Sequence, residues 1–522
     1  MKTSRIFRIF MMALDLFVMA LLRPFRKFTK LQRFRPQRKS GDTPAHAVPE
    51  TQPQAHGIAA ELEVDGQRAE SYMRSEPISV PEDAPYAGRE GIVTFRGDQL
   101  RSGASFGTAD IREGKLRVCW SAQTGKLAKG YGKGFWTGSG WTGQPLIVRW
   151  RDEEKQAMNL YEDKKQKDGL FEVVYSTMDG NVYFLDLEDG TPTRDVWKVG
   201  LPFKGAGALH PTLPILHLGP GDSGAGEGEY ARAYLYSLED GEKLLEYGGQ
   251  DAFSLRKFCG FDSSPLFFGD YILEPSENGI LYSFKLNPYR DAEGKLRIDP
   301  TEFVKLRYQT ARSSEQSYWL GMEDSPVVWT QDVVDDTNGS PVFSMEDGHP
   351  YLYIGTSLHW SPSKRLRLGD CPIFKLDAIT GEYVWIRSYF CNTIAGISGG
   401  VQATAALGRG EVGDLLFLPV ARTPSVRNGL LVALDKRTGR EVWRYRMHAY
   451  AWSSPVLVYD EAGKAYLVQG DSEGVLHLLE AKTGKHLDSI SLGANIEASP
   501  AVVGDMLVVG TRGMQIFGVR LS

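Results

Sequence analysis

The sequence repeats one strand-and-turn unit in a fixed register. In three clear copies the second glycine stands ten positions after the first: Gly180 to Gly190, Gly429 to Gly439 and Gly474 to Gly484. The alternating apolar segment between the glycines predicts a half-buried strand, and an ending such as Asp435-Lys-Arg-Thr438-Gly439 predicts a tight turn into the next strand. The 57 glycines, 23 tyrosines and 24 phenylalanines of the chain suit many short aromatic strands joined by turns.

A second signal marks the start of each unit. Serine and proline precede an apolar strand at Ser264-Pro265, Ser325-Pro326, Ser454-Pro455 and Ser499-Pro500, with Gln144-Pro145 and Pro214 in the same place in earlier units. Proline is tolerated at the first residue of a strand because its missing N–H lies outside the hydrogen-bonded ladder. Strand starts near residues 144, 213, 265, 326, 401, 455 and 500 predict seven units, each long enough for four strands.

The last unit lacks a fourth strand. Its third strand, Met514 to Leu521, ends the chain, and Leu116 to Trp120 at the other end of the domain can supply the missing one. A ring closed by strands from both ends leaves no exposed sheet edge there. We therefore predict an all-β fold, a β-propeller of seven blades with four antiparallel strands each, and eight blades as the alternative. Trp385 and Trp443, four residues past their turn glycines, are predicted to wedge between neighbouring sheets.

Residues 1–40 are predicted to attach the chain to a membrane. An apolar run from Ile9 to Leu22 is broken only by Asp15, and eight basic residues with no acidic one follow between Arg23 and Lys39. This composition is typical of a surface-lying anchor drawn to anionic lipids, while a cleaved signal and a plain disordered tail are the alternatives. Residues 41–90, rich in Pro, Ala, Glu, Gln and Gly, are predicted to form a disordered linker to the propeller at 91–522.

The repeat resembles that of a known family. The Leu-Asp-x-x-Thr-Gly-x-x-x-Trp turn of residues 434–443 and the Ser-Ser-Pro opening at residues 453–455 resemble the pyrroloquinoline-quinone-type, or quinoprotein-like, propeller repeat. Residues 94–103, with Phe95-Arg96-Gly97, resemble the leader that precedes the first blade in many such proteins. The resemblance covers roughly residues 92–522 and implies the fold. It does not imply one function, because the repeat carries quinone-dependent dehydrogenases and also non-enzymatic propellers such as the outer-membrane assembly lipoprotein.

The sequence departs from the dehydrogenase members at their cofactor site. Those enzymes stack a quinone on a disulfide between adjacent cysteines and hold calcium beside a catalytic Asp, whereas Cys119, Cys259, Cys371 and Cys391 are isolated. The sequence also has no Cys-x-x-Cys-His segment to bind haem. We therefore expect no cofactor and assign no catalytic residue, and pyrroloquinoline quinone and calcium belong only to the alternative. A net charge of -5 offers no electrostatic footprint for nucleic acid.

Candidate ligand-binding residues lie in two kinds of segment. Segments leading into a blade should point toward the central axis, where carboxylates could hold a cation or a basic ligand. These positions are Asp262, Glu323, Asp324, His448, Trp452 and Glu497. The aromatic positions are Phe135, Trp136 and Trp141 in a Gly-rich loop that could stack on a sugar or a partner side chain, and Trp319 beside an acidic insertion from Asp332 to Pro350. The alternatives are strand caps, channel water and loop packing, and the histidine spacing predicts no metal site.

Two cysteines are predicted to face each other across a hairpin. The turn from Asp377 to Glu382 centres the hairpin near residue 380, and Cys371 and Cys391 have a mean position of 381. A disulfide between them would indicate an oxidising compartment. Propellers that resemble this chain are usually extracytoplasmic, whereas the basic stretch argues for the opposite topology. We predict a membrane-associated protein whose propeller lies on the extracytoplasmic side.

These observations favour a non-catalytic binding or assembly scaffold. A membrane-tethered propeller of this kind recognises a protein, peptide or glycan through its rim loops and funnel, and we expect a monomer. One alternative is a quinone- and calcium-dependent alcohol or sugar dehydrogenase. A second is a glycan-handling enzyme, motivated by the aromatic loop from Phe135 to Trp141.

Overall fold

The computed structural model describes residues 58–76, 78, 86–130, 134–140, 143–224, 229–254, 259–310, 339–360, 367–394 and 396–522. The predicted anchor at 1–40 lies outside the described residues, and so do the candidate site residues Trp141, Trp319, Glu323 and Asp324. Within the described part of the chain, no helix is long and apolar enough to cross a membrane.

Seven mainly antiparallel sheets form the described fold, and they are numbered in chain order. Sheet 1 holds Gly91–Ile92, Leu146–Arg149, Phe171–Ser176, Asn181–Asp186 and Trp197–Lys198. Sheet 2 holds Ala208–Leu209, Ile215–Leu218, Arg232–Ser237 and Lys243–Gly248. Sheet 3 holds Ile58–Val64, Gln67–Ala69, Leu266–Phe268, Tyr271–Pro275, Ile280–Lys285 and Thr301–Thr310. Sheet 4 holds Val342–Glu346, His349–Gly355, Leu368–Asp377 and Tyr383–Asn392.

The remaining sheets come from the second half of the chain, with strands from the first half added to the last. Sheet 5 holds Ser357–Leu358, Gly399–Gly400, Ala406–Leu407, Leu415–Ala421, Gly429–Asp435 and Glu441–Met447. Sheet 6 holds Val456–Tyr459, Ala465–Gly470, Val475–Glu480 and His486–Ser491. Sheet 7 holds Ser105–Phe106, Leu116–Gln123, Ala501–Val503, Met506–Thr511 and Gln515–Leu521. Outside the sheets are the hairpins Lys126–Ala128 with Phe135–Thr137 and Pro288–Arg290 with Leu296–Ile298, the helices Asp152–Ala157 and Glu162–Lys165, and a 3₁₀ turn at Gly410–Val412.

Sheet 6 shows how the repeat becomes a blade. Its four strands follow one another in chain order as an antiparallel meander. Its second strand is buried throughout, because Val468 packs with residues of sheet 7 and Leu467 packs with residues of sheet 5. Its last strand, His486–Ser491, alternates between exposed and half-buried positions. The apolar core therefore lies between neighbouring sheets, and each inner strand needs apolar side chains on both faces.

Residues 91–106, called the hub segment below, bond to all seven sheets at or beside their first strands. Two sheets gain a strand from the segment: Gly91–Ile92 pairs in sheet 1, and Ser105–Phe106 pairs in parallel in sheet 7. Backbone hydrogen bonds join Leu209 N to Val93 O in sheet 2 (2.7 Å) and Phe343 N to Leu100 O in sheet 4 (3.2 Å). Arginine side chains donate to Ser264 O at sheet 3 (Arg101 Nη2, 2.6 Å), to Ala405 O at sheet 5 (Arg96 Nη2, 3.3 Å) and to Pro455 O at sheet 6 (Arg96 Nη1, 2.6 Å). First strands that meet at one segment have the radial arrangement of a β-propeller, which confirms the predicted fold class. Seven blades, with eight as the alternative, stay a prediction for the whole chain.

The hub segment depends on two buried arginines. Arg96 is fully buried and Arg101 is 9% exposed, and both adopt left-handed backbone conformations with φ of 58° and 59°. Side chains other than glycine rarely occupy this region, so the surrounding bonds must hold it. Burial lowers the pKa of Arg96 to about 10, which leaves the guanidinium charged at neutral pH. Its charge is solvated by carbonyl groups of sheets 5 and 6.

The two ends of the propeller share sheet 7. Leu116–Gln123 pairs antiparallel with Gln515–Leu521, so that Ser121 lies opposite Phe517. This strand takes the outer place in the sheet, beside the last strand of the chain. The sequence-based prediction of a fourth strand from residues 116–120 is confirmed.

Tryptophans on outer strands pack onto the turn of the next sheet. Trp385 Nε1 donates to Lys436 O at 2.8 Å, and Trp443 Nε1 donates to Ala481 O at 3.0 Å, which confirms the predicted wedges. Two features require a glycine at position 439. Its φ is +67°, and a Cβ there would lie 2.6 Å from the Trp385 ring. Trp120 makes the same contact between sheets 7 and 1, with Nε1 donating to Leu187 O at 2.9 Å.

One predicted strand start is wrong, and another lies outside the described residues. The first described strand of sheet 4 follows Ser340-Pro341, whereas the predicted start at Ser325-Pro326 lies outside the described residues. Pro214 lies between the first two strands of sheet 2, because Ala208–Leu209 is the first strand and Ile215 begins the second. The acidic insertion is also shorter than predicted, since much of residues 342–350 belongs to strands of sheet 4.

The prediction of a disordered linker at 41–90 is wrong for residues 58–69. Ile58–Val64 pairs antiparallel with Thr301–Thr310, and Gln67–Ala69 folds back beside it, which extends sheet 3 to six strands. Two ion pairs across this edge stabilise the addition: Arg307 Nη2 to Glu61 Oε2 at 2.7 Å and Lys305 Nζ to Glu63 Oε1 at 2.8 Å. The strand is short and mixed in polarity, so only its partner strand makes it stable.

The predicted disulfide between Cys371 and Cys391 is wrong. Cys371 lies opposite Tyr389, and Cys391 lies opposite Gly369, so the cysteines are diagonal neighbours. The hairpin is centred at residue 380, as predicted, but the mean of the two cysteine positions is 381, and a difference of one in the centre moves the opposite residue by two positions. The two sulfurs are not bonded, and the Cys391 Sγ lies 3.5 Å from the Tyr389 carbonyl. The structure therefore gives no support for an oxidising compartment.

Candidate functional site

The segments that lead into the first strands of the sheets carry polar side chains at one end of the propeller axis. This end of the axis is called the funnel below. Asp262 and Glu497 each stand two residues before the serine of a Ser-Pro opening. The Pro265 carbonyl accepts a hydrogen bond from Thr94 Oγ1 of the hub segment. At roughly 3.3 Å per residue, Asp262 lies about 10 Å along the chain from Pro265. Both carboxylates are mostly buried, with 17% of each side chain exposed. The funnel and the hub segment therefore occupy successive levels of the axis.

A short hairpin brings an indole to the funnel, and two ammonium groups lie over it. The strands Lys126–Ala128 and Phe135–Thr137 pair so that Trp136 lies opposite Leu127. Lys129, just past the first strand, places its Nζ 3.8 Å from the Trp136 ring centroid. Lys204, from the loop before sheet 2, places its Nζ 5.6 Å from the same centroid. Such cation–π contacts hold flexible lysines near one position without using their hydrogen-bond donors.

Sheet 7 adds a third cation beside this hairpin. The Arg512 carbonyl accepts a hydrogen bond from Thr137 Oγ1 at 3.2 Å, which ties residue 512 to the hairpin strand. The Arg512 guanidinium contacts the Met178 sulfur and lies 3.8 Å from Glu497 Oε2. Asn495 Nδ2 donates to Glu497 Oε1 at 2.8 Å. Burial raises the pKa of Glu497, and the Arg512 charge only partly opposes that effect.

Asp262 completes the cluster on the side of sheets 2 and 3. Lys204 Nζ lies 3.7 Å from Asp262 Oδ2 and 3.9 Å from Asp222 Oδ2. Burial raises the pKa of Asp262 to about 6, while the Lys204 charge lowers it and the Asp222 charge adds to the increase. The other oxygen, Oδ1, packs against the backbone, since a Cβ on Gly221 would lie 1.9 Å from it. Asp262 is thus held in place and presents one side to the funnel.

The funnel cluster has seven members that share one small volume: Lys129, Trp136, Lys204, Asp222, Asp262, Glu497 and Arg512. Their charges act on one another. Burial lowers the pKa of Lys129, Arg512 and Lys204 lower it further, and Asp222 opposes them. Lys129 therefore sits in a net positive potential, which favours the arrival of an anionic group.

The structure brings together three of the predicted site residues, Trp136, Asp262 and Glu497. Phe135 lies beside them on the hairpin, 51% exposed, with Lys126 Nζ 4.6 Å from its ring centroid. Trp452 lies apart from the hairpin, with its ring centroid 5.5 Å from that of Tyr450.

His448 is a surface residue whose carbonyl accepts from Asn428 Nδ2 at 3.1 Å. It is not part of the funnel cluster. Trp141, Trp319, Glu323 and Asp324 lie outside the described residues.

Sequence reasoning missed the three cations. Lys129 was within reach, because it belongs to the same Gly-rich, lysine-containing loop as Phe135 and Trp136. Lys204 follows a Pro-Phe pair in a loop, and Arg512 follows the last buried strand, and neither position has a motif around it. Their role depends on which loops meet at the axis, which no local pattern encodes.

Calcium does not fit the funnel cluster. Each mostly buried carboxylate of the cluster has a cation as its nearest charged neighbour, at 3.7 Å for Asp262 and 3.8 Å for Glu497, where calcium requires several converging oxygen ligands. Among the described residues no group of three His, Cys, Asp or Glu side chains could hold a metal ion. The arrangement suits a ligand that carries its own negative charge.

The C-terminal part of the chain matches a known family. A family model described as outer membrane protein assembly factor BamB matches residues 427–520, which include sheet 6 and most of sheet 7. This segment is a PQQ-type repeat. The recognition made from the Leu-Asp-x-x-Thr-Gly turn and the Ser-Ser-Pro opening is thereby confirmed, because both lie within the matched residues. The comparison with curated proteins found no match.

Solved structures of two functional classes are similar to this chain. A europium-containing methanol dehydrogenase has 13% identity and a TM-score of 0.42, over 84% of this chain and 99% of the other. BamB from Moraxella catarrhalis has 13% identity and a TM-score of 0.34, over 78% and 98%. Quinohemoprotein alcohol dehydrogenase from Comamonas testosteroni has 13% identity and a TM-score of 0.42, over 83% and 81%. These scores carry no argument about function, which must come from the site.

Proposed function

We propose that this protein is a non-catalytic binding or assembly scaffold, a membrane-tethered propeller that recognises a protein, peptide or glycan through its rim loops and funnel. The observation that carries the proposal is the funnel cluster, where two ammonium groups lie over one indole, with the Arg512 charge near Lys129 and a half-exposed phenylalanine on the same hairpin. Partly solvated cations and aromatic rings in a concave site are typical of recognition surfaces. The match of residues 427–520 to the BamB model supports a protein partner.

The proposal places the propeller on the extracytoplasmic side of a membrane, held there by residues 1–40, as a monomer. Strand Ile58–Val64 supports this arrangement, because it fixes the chain that follows the basic stretch to the outer edge of sheet 3.

Site-directed photo-cross-linking in intact cells tests the proposal. A photoreactive residue at Phe135, which is 51% exposed beside the funnel, should give a discrete adduct with a partner. Val442 is the matched control, because it is 53% exposed but lies on the outer strand of sheet 5. Adducts at Phe135 and not at Val442 support recognition through the funnel. The same adduct pattern at both positions, or none at Phe135, contradicts it.

A quinone-dependent dehydrogenase is the second candidate, and one observation favours it. Lys129, Lys204 and Arg512 could pair with the carboxylates of pyrroloquinoline quinone, although calcium has no oxygen cage among the cluster residues. Titration of the quinone with calcium, followed by tryptophan quenching and calorimetry, separates the two candidates. One quinone bound per chain at micromolar or tighter affinity would replace the scaffold proposal.

A further inference from the structure

Lys129 is the least compensated charge of the funnel cluster. The ion pairs of the cluster among the described residues join Lys204 to Asp222 and Asp262, and Arg512 to Glu497, and all are 3.7–3.9 Å long. Lys129 takes part in none of them, and its ammonium rests on the Trp136 ring instead. An ammonium needs hydrogen-bond acceptors, which the ring does not supply. The geometry therefore leaves Lys129 ready to bind an acceptor from a ligand.

The indole is not available as a platform for a sugar ring. Lys129 Nζ at 3.8 Å and Lys204 Nζ at 5.6 Å from the Trp136 centroid occupy the space above the ring that a stacked sugar would need. Phe135 remains partly open but carries Lys126 over its ring. Anionic groups of a ligand thus contribute more to recognition than its apolar rings do.

Carboxylates placed between the cations select against dense polyanions. Asp222 and Asp262 flank Lys204, and Glu497 flanks Arg512, so a phosphate chain or a sulfated glycan would meet repulsion at every second contact. The chain as a whole carries a net charge of -5, which adds to that repulsion. A ligand whose negative groups are separated by uncharged groups avoids it.

We infer that the funnel binds an acidic peptide segment of a partner protein, with Lys129 as the principal contact to a side-chain carboxylate and Arg512 as the second. The inference rests on the proposed recognition function and names the ligand class of the same site. Uncharged residues between the acidic ones pack against the exposed face of Phe135. Specificity comes from the spacing of the carboxylates, because the cations are held by the ring and by their long ion pairs.

A peptide array tests the inference on the full chain in detergent micelles. The array carries peptides with Glu residues at varied spacing, each beside a counterpart in which Gln replaces Glu. We expect binding to Glu peptides of particular spacing, and affinity at least about tenfold lower for their Gln counterparts. Equal binding of both sets, or binding of neither, overturns the inference. Inorganic polyphosphate and a heparin oligosaccharide are the further probes, and stronger binding to either than to every Glu peptide also overturns it.

Lysine substitutions locate the contact. Lys129→Gln should weaken binding of the best Glu peptide by about tenfold, because one charge-assisted bond is lost. Lys485→Gln is the matched control, and it should stay within about twofold, because Lys485 is exposed in the turn between the last two strands of sheet 6 and lies outside the cluster. Thermal melting of both variants confirms that they fold. Equal effects of the two substitutions overturn the assignment to Lys129, while the cross-linking at Phe135 still reports whether the funnel recognises any partner.

Discussion

The hub segment and the funnel differ in what their positively charged side chains contact. At the hub segment, the guanidinium groups of Arg96 and Arg101 donate to backbone carbonyls at sheets 3, 5 and 6 at 2.6–3.3 Å. In the funnel, Lys204 and Arg512 reach carboxylates only at 3.7–3.9 Å, and Lys129 rests on an indole. Both levels contain cations and aromatic neighbours, but the hub cations donate to backbone carbonyls, whereas the funnel cations lie beside carboxylates and an aromatic ring.

This difference separates charges that hold the fold from charges that are open to a ligand. A buried cation whose donors are all bonded cannot be removed without leaving carbonyl groups unsatisfied, which costs stability. A partly solvated cation with long contacts loses little when it is neutralised. Substitutions at the hub should therefore change stability, and substitutions in the funnel should change binding.

The hub arginine gives the largest expected effect on stability. Arg96→Met removes the bonds to Pro455 O and Ala405 O, and two unsatisfied buried carbonyls should lower the free energy of unfolding by about 4 kcal/mol. Chemical denaturation of the full chain measures the change. Arg149→Met is the control, because Arg149 is 47% exposed and pairs with exposed Glu90, and it should cost less than about 1 kcal/mol. A similar loss for both variants would remove the distinction between hub and surface.

Two tryptophan substitutions should give the next largest changes in the free energy of unfolding. Trp443→Ala removes a wedge between sheets 5 and 6 and its bond to Ala481 O, and should lower the free energy of unfolding by about 3 kcal/mol. Trp136→Ala should cost less than about 1 kcal/mol, because its ring contacts the ammonium groups of the funnel. Denaturation midpoints of the two variants check this order. A larger loss for Trp136→Ala would make the funnel part of the core.

Asp262 predicts a pH effect confined to the funnel. Its pKa is raised to about 6 by burial, so the folded state holds a proton that the unfolded state has released above pH about 4. Stability should therefore fall as the pH rises from about 4 to about 6, with a slope of at most about 1.4 kcal/mol per pH unit. Asp262→Asn should remove this part of the pH dependence. An unchanged pH profile in the variant would place the titrating group elsewhere.

The smallest expected effect on stability belongs to Lys129. Lys129→Gln should change the free energy of unfolding by less than about 0.5 kcal/mol, because the ammonium has no ion pair among the described residues of the cluster. Chemical denaturation of Lys129→Gln together with Arg96→Met measures the smallest and the largest expected change in stability in one experiment. A loss comparable with that of Arg96→Met would make Lys129 a structural residue and would contradict its role in binding.

Most of the blade architecture was accessible from the sequence. Patterns that span a few residues predicted the strand between Gly429 and Gly439 and the Trp443 wedge. They also predicted the addition of residues 116–120 to sheet 7. The strand Val342–Glu346 was missed because Ser340-Pro341 lies inside the predicted insertion, although it carries the same local signal as the other Ser-Pro openings. The strand at 58–64 was missed because its pairing partner lies far along the chain.

The candidate site was accessible only in part. Asp262 and Glu497 were found because their places before Ser-Pro openings repeat with the blades. Lys204 and Arg512 have no such periodic place, so nothing in their neighbourhoods separated them from other surface cations. Cys371 and Cys391 were placed opposite each other because their mean position of 381 was treated as equal to the hairpin centre of 380, although this difference offsets their pairing by two residues.

The sequence by itself determined the strands, the turns and the wedges, because these depend on side-chain alternation and backbone preferences within one unit. Only the tertiary structure decided which charges meet. The pairing of Leu116–Gln123 with Gln515–Leu521 in sheet 7 brings Arg512 beside the hairpin of Trp136 and Lys129. Contacts between residues so far apart in the chain depend on the packing of the sheets between them, and that is why the funnel cluster appears only in the folded protein.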